Sequence, residues 1–118
     1  MIHTACFFKP DFHKGILYSI ANTSPPYIMD KIAGTVPVLV PPKSIVFDYK
    51  EKRIDWDEYV KLYNEFLNKI ITDVELKDFT IFNQECTLLC WEHTTEFCHR
   101  RLAVEWLATK GFEIGDIN

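Results

Sequence analysis

The sequence predicts one α/β domain spanning residues 1–118, with a mainly parallel sheet flanked by helices. Three observations carry the prediction: apolar strand-like runs at Ile2–Phe8, Gly15–Ile20 and Cys86–Trp91, an amphipathic helical stretch opening at Asp55, and a second helical stretch closing at Lys110-Gly111. Strands interleaved with helices favour parallel pairing, because parallel neighbours need long crossover connections. A chain of 118 residues has material for a single core.

The first run, Ile2–Phe8, is bounded by Lys9-Pro10-Asp11 and reads as a buried strand. Gly15–Ile20 reads as a second strand, stopped by the turn-forming Asn22-Thr23-Ser24-Pro25-Pro26. Gly34, Pro37, Pro41 and Pro42 rule out a long helix between Tyr27 and Pro42, so an irregular packed connection is expected there, followed by a short helix over Ser44–Lys50. At Asp55-Trp56-Asp57-Glu58 a capping box starts the clearest helix. Trp56, Tyr59, Val60, Tyr63, Phe66, Leu67 and Ile70 then recur at three- and four-residue spacing, which assigns the rings of Trp56, Tyr59, Tyr63 and Phe66 to the core, with base stacking as the alternative. Asp73 is expected to cap a further short helix carrying Leu76 and Phe79. Cys86–Trp91 suits a central strand, Leu102, Ala103, Trp106 and Leu107 mark the buried side of the last helix, and Phe112-Glu113-Ile114 offers a return to the sheet.

Composition narrows the function classes. A hydrophobic fraction of 47% with 25% charged residues is that of a folded globular chain. The net charge of −4 gives no general attraction to phosphate polymers, so generic duplex nucleic-acid binding is not expected. No apolar run reaches the ~20 residues of a bilayer span, and the N-terminal residues lack a signal-like pattern, so a cytoplasmic protein without membrane attachment is expected. Cys6, Cys86, Cys90 and Cys98 are then expected to be reduced thiols. A homo-oligomer is compatible with the sequence.

The densest chemistry lies between Glu92 and Arg101, where the end of the Cys86–Trp91 strand crosses into the last helix. Free N–H groups and the dipole at a helix start favour an anion, and Arg100 or Arg101 would add a forked contact to its oxygens. The competing reading is a cap by Thr94 or Thr95, with both arginines solvated or paired to Glu92 and Glu96. Cys98 beside His99 and Arg100 is a candidate nucleophile, with a buried structural thiol as its alternative. Glu92 and His99 are candidate proton carriers. Cys90, Glu92, His99, Arg100 and Arg101 make up the candidate ligand-binding set, joined by Ser19 and Asn22 at the end of the second strand. His93, His99, Cys90 and Cys98 offer zinc-type donor atoms, but their spacing is unlike established zinc motifs, so no metal and no cofactor is assigned.

Leu88-Leu89-Cys90-Trp91-Glu92 followed by Phe97-Cys98-His99-Arg100, together with Ser19-Ile20 and Arg53-Ile54-Asp55-Trp56-Asp57-Glu58-Tyr59, resembles the short branch of the domain of unknown function 488 family. The likeness runs over nearly the whole chain. It implies a small intracellular α/β domain with Cys90, Glu92, Cys98, His99 and Arg100 as signature positions, and it brings no substrate with it. Relatives often carry an arginine just after the Ser-Ile of the second strand, where this chain has Ala21-Asn22. The leading expectation is therefore a binder of a small anionic ligand, a nucleotide or nucleic-acid component first. The alternatives are an enzyme, a hydrolase or transferase, acting on such a substrate, and a protein-interaction module in which the Cys-His-Arg signature is structural.

Overall fold

A computed structural model describes residues 1–70, 80–92 and 98–118. Strands β1 (Ile2–Cys6), β2 (Ile16–Ser19), β3 (Gly34–Thr35), β4 (Cys86–Cys90) and β5 (Ile114–Ile117) form one sheet in the order β3-β2-β4-β1-β5. All four pairings are parallel, so the α/β expectation holds and the strands' carboxyl ends share one edge of the sheet. The expected central strand is central: β4 runs between β2 and β1, with Cys6 opposite Cys90 at its carboxyl end.

Side chains alternate across the sheet, and the two faces bury different company. Ile2, Cys86 and Leu88 join the larger core with helices α1 (Lys43–Lys50), α2 (Trp56–Ile70) and α3 (His99–Thr109). Ala5 and Leu89 point the other way, against Phe7, Ala21 and Ile28, the last supplied by a 3-10 turn over Pro26–Lys31. No helix among the described residues is long and apolar enough to cross a membrane.

The ends of α2 and α3 follow from their sequences. The Asp55 carboxylate accepts the Glu58 N–H at 2.8 Å, satisfying an otherwise free donor of the first turn of α2. Tyr59, Tyr63 and Leu67 then turn inward, and the Tyr63 hydroxyl donates to the Leu39 carbonyl at 2.5 Å. The far end of α3 is a Schellman stop, in which Gly111 N–H reaches Ala108 O at 3.1 Å and Phe112 N–H reaches Leu107 O at 3.3 Å. Gly111 holds φ +95° there, a conformation that costs glycine little. Just before β2, Gly15 has φ +66° and passes so close to Glu85 that a Cβ would lie 2.1 Å from its carbonyl oxygen.

Several boundaries differ from the sequence reading. β1 ends at Cys6, β2 loses Gly15 and Ile20, and the last strand is displaced to Ile114–Ile117. The irregular stretch before Pro42 contains β3, a two-residue edge strand. The last helix begins at His99, which gives the cap position to Cys98, with no side-chain cap bond, rather than to a threonine. The helix expected after Asp73, and the residues His93, Thr94, Thr95 and Glu96, lie outside the described residues.

Candidate functional site

Parallel pairing carries the tips of β2 and β4 to the same edge, where they meet the start of α3. The sequence-predicted constellation assembles there. One donor atom from each of Cys90, Glu92, Cys98 and His99 lies within 4.8 Å of every other. The Cys90 and Cys98 sulfurs are 2.9 Å apart, and the Cys98 thiol donates to the Glu92 carboxylate at 3.4 Å. His99 points Nε2 at the Ile20 carbonyl, 2.7 Å away. A carbonyl can only accept, so Nε2 is the donor there, and Nδ1 has no hydrogen-bond partner among the described residues.

Arg100 is the organiser of this cluster. Its side chain is 0% exposed, unusual for a guanidinium. Nη1 donates to the Glu92 carbonyl at 2.7 Å and lies 2.9 Å from Cys90 Sγ and 3.2 Å from Cys98 Sγ, while Nε donates to the Asn118 main-chain oxygen at 2.9 Å. Nη2 is buried without a hydrogen-bond partner among the described residues. The expected forked contact from Arg100 to a ligand is therefore not what the geometry offers: this side chain ties the strand end, the helix start and β5 together from beneath. Arg101 is not brought into the cluster, and its Nε faces Glu105 at 3.5 Å.

The electrostatics follow the burial. Burial, reinforced by the hydrogen bond with Cys98, raises the Cys90 thiol well above its ordinary value. Burial alone would also raise the Glu92 carboxyl, but hydrogen bonding from Cys90 and Cys98 and the nearby His99 outweigh it and hold the carboxylate below its usual range. Burial opposes the Arg100 charge, yet the Cys90 and Cys98 sulfurs overcome that and hold the guanidinium protonated.

Above the cluster opens a cleft of about 580 Å³, with Glu92 and His99 in its lining. Asn22, a predicted ligand-binding residue, lines it too, whereas Ser19 is buried just below and accepts the Ala21 N–H at 3.2 Å. Cys90, Cys98 and Arg100 do not line it. Its walls also include residues that the sequence reading did not place in the ligand-binding set: Tyr49 and Lys50 from α1, Trp56 and Tyr59 from α2, and Trp91 from the tip of β4. Trp56 and Tyr59 stack at 4.8 Å, with Tyr49 edge-on to both at 5.6 and 5.4 Å. Across the cleft, the Trp91 indole N–H donates to the Thr23 carbonyl at 2.8 Å and pins the two strand tips together. Helical spacing assigned Trp56 and Tyr59 to the core, and Tyr59 is indeed buried, but both also present ring surface to the cleft. Their position one turn from the Asp55 cap was the available signal, since helix starts next to strand tips border ligand clefts.

Comparison with curated proteins and with solved structures returned no match. A family model, DUF488-N3a, described as the active DUF488-N3 subclade, matches residues 13–111, and over that span of sheet, cleft and cluster the chain belongs to the DUF488 family.

Proposed function

We infer that the cleft captures a small anionic ligand bearing a planar ring, a nucleotide or nucleic-acid component by preference. The single observation behind this reading is the shape of the cleft: a pocket of about 580 Å³ at the carboxyl ends of parallel strands, walled by Tyr49, Trp56, Tyr59 and Trp91. Open parallel sheets take ligands at that edge. Aromatic walls suit a base, since stacking contributes about 1–3 kcal/mol per base. Lys50 supplies positive charge to the wall, and Asn22, Glu92 and His99 supply the few polar contacts that orient a ligand in a mostly apolar pocket.

A catalytic variant of this reading has its own support. Glu92 and His99 reach the cleft while Cys98 stands 3.4 Å behind Glu92, an arrangement that supports a proton relay from thiol to carboxylate to ligand. The matched subclade is described as active, which supports this variant. Cys98 itself is only 1% exposed, so Glu92 and His99, rather than the thiol, are the groups positioned to touch a substrate.

The test is titration of the reduced chain with mono- and dinucleotides, followed through tryptophan fluorescence, with mass analysis of the released ligand. Binding should quench the signal from Trp56 and Trp91, and Trp56→Ala should weaken it about tenfold or more. An unaltered released ligand supports capture, and a chemically altered one supports catalysis. The reading fails when no nucleotide binds, or when one binds equally well to Trp56→Ala.

A further inference from the structure

The four donors beneath the cleft make a second kind of site. We propose that Cys90, Cys98 and His99, completed by Glu92, bind a thiophilic divalent cation of the zinc type. This goes beyond the ligand cleft and stands whether or not a nucleotide occupies it.

Geometry is the first support. Tetrahedral zinc with bonds of roughly 2.0–2.3 Å separates its donors by about 3.3–3.8 Å. The donor atoms of these four residues already lie within 4.8 Å of one another. The two sulfurs, at 2.9 Å, have to open by less than about 1 Å to reach that spacing. Cys90 and Cys98 are buried and His99 is 7% exposed, which fixes three donors, while the exposed Glu92 provides the adjustable fourth. The set of two thiolates, one imidazole and one carboxylate is soft enough to select zinc over calcium or magnesium.

The surroundings of the donors supply the second support. Metal-binding histidines donate their other ring N–H to a carbonyl or carboxylate, which fixes ring orientation and tautomer. His99 does this to the Ile20 carbonyl at 2.7 Å, leaving Nδ1 as the ligand atom. Arg100 donates from outside the set, through Nη1, to both sulfurs.

Charge supplies the third. No carboxylate is in ion-pair contact with the fully buried Arg100 among the described residues, so the sulfurs are the anion-capable groups at hand. A divalent cation bound there would displace the thiol protons, including the one that Cys98 donates to Glu92. Two thiolates and one carboxylate against a divalent cation and one guanidinium sum to zero, which is the balance that a buried ionic cluster requires. The spacing in the sequence concealed this site, because its donors come in two tight groups, Cys90 with Glu92 and Cys98 with His99, instead of two Cys-x-x-Cys knuckles.

The test uses the full chain, purified under reducing conditions without chelator, and reads metal content by mass spectrometry. About one zinc per chain is expected. Replacing the metal with Co²⁺ should give thiolate-to-cobalt charge-transfer absorption and the visible bands of tetrahedral coordination. Because Cys90→Ser and Cys98→Ser alter buried positions, the discriminating variant is the exposed Glu92→Gln, whose zinc affinity should fall at least about tenfold against a chromophoric chelator. A folded, fully reduced chain that binds no zinc and gives no cobalt–thiolate band overturns the proposal. So does a chain isolated with a Cys90–Cys98 disulfide that still takes no metal after reduction. Zinc binding without any nucleotide binding leaves this site standing and removes only the ligand reading of the cleft.

Discussion

The two ends of the central strands each bury a basic side chain, and they treat it in opposite ways. Near the amino ends, His3 is 3% exposed, its Nε2 lies 3.3 Å from the Glu85 carboxylate, its Nδ1 accepts the Asp116 main-chain N–H at 2.9 Å, and Lys14 pairs with the Asp116 carboxylate. Both carboxylates are more than half exposed, so the charges there drain into solvent. At the carboxyl ends, Arg100 is sealed among two sulfurs and two main-chain oxygens. One end is a solvated ion network that closes the sheet, and the other holds beneath a cleft a charge that no carboxylate among the described residues pairs. Perturbed, buried charge next to a concavity marks a working site more reliably than ion pairs do.

Substituting the two basic residues in turn breaks this comparison most directly. Arg100→Ala removes four hydrogen bonds and leaves a cavity, and should lower unfolding free energy by about 3–5 kcal/mol in urea titrations. His3→Ala should cost distinctly less, about 1–2 kcal/mol, because water can reach the carboxylates that it leaves behind. Equal losses would show that the two ends are not different in kind.

Gly15→Ala tests the solvated end through its backbone. The added methyl meets the Glu85 carbonyl and must adopt φ +66°, so a loss of roughly 2–3 kcal/mol is expected.

A pH series contrasts the two ends of β4 itself. Burial pushes the Cys86 thiol from 9.0 up to about 11. With the folded value above the unfolded one, the stabilisation from a neutral thiol is complete below the unfolded value and is lost as pH rises through the folded one. Between pH 9 and pH 11 the chain should lose on the order of 2 kcal/mol more than Cys86→Ala does, measured as unfolding free energy in urea. Identical alkaline profiles would show that Cys86 is not held neutral by the fold.

The smallest effect belongs to Lys14→Ala. Its pair with Asp116 is exposed, so the loss should be slight and should vanish at high salt, and a salt-insensitive loss would contradict the solvated picture of that end.

Sequence patterns were most informative where a single period or cap decides the outcome. Asp55 and the Tyr59–Tyr63–Leu67 spacing located α2, and Gly111 located the end of α3. They were least informative where pairing overrides local preference. Gly115 and Asp116 are poor strand formers, yet β5 includes both because β1 offers it an edge. Two residues at Gly34–Thr35 are too few to show a period. The cluster was legible because strand tip and helix start are adjacent in sequence, so Cys90, Glu92, Cys98 and His99 could be grouped without coordinates. The cleft was not, since Tyr49, Lys50 and Trp56 face Trp91 only after α1 and α2 dock on the sheet. The inward role of Arg100 was hidden for a related reason: its partners include the Asn118 main-chain oxygen, and carbonyls carry no residue-type signal.

The register of β1 has a kinetic consequence. Ile2 pairs with Cys86 on one side and Ile114 on the other, so this strand lies more than 80 residues ahead of either neighbour. During synthesis Ile2–Cys6 must wait as an unpaired apolar segment until most of the polypeptide has left the ribosome. Strands that pair across such long separations form late, and their apolar side chains stay exposed in the meantime.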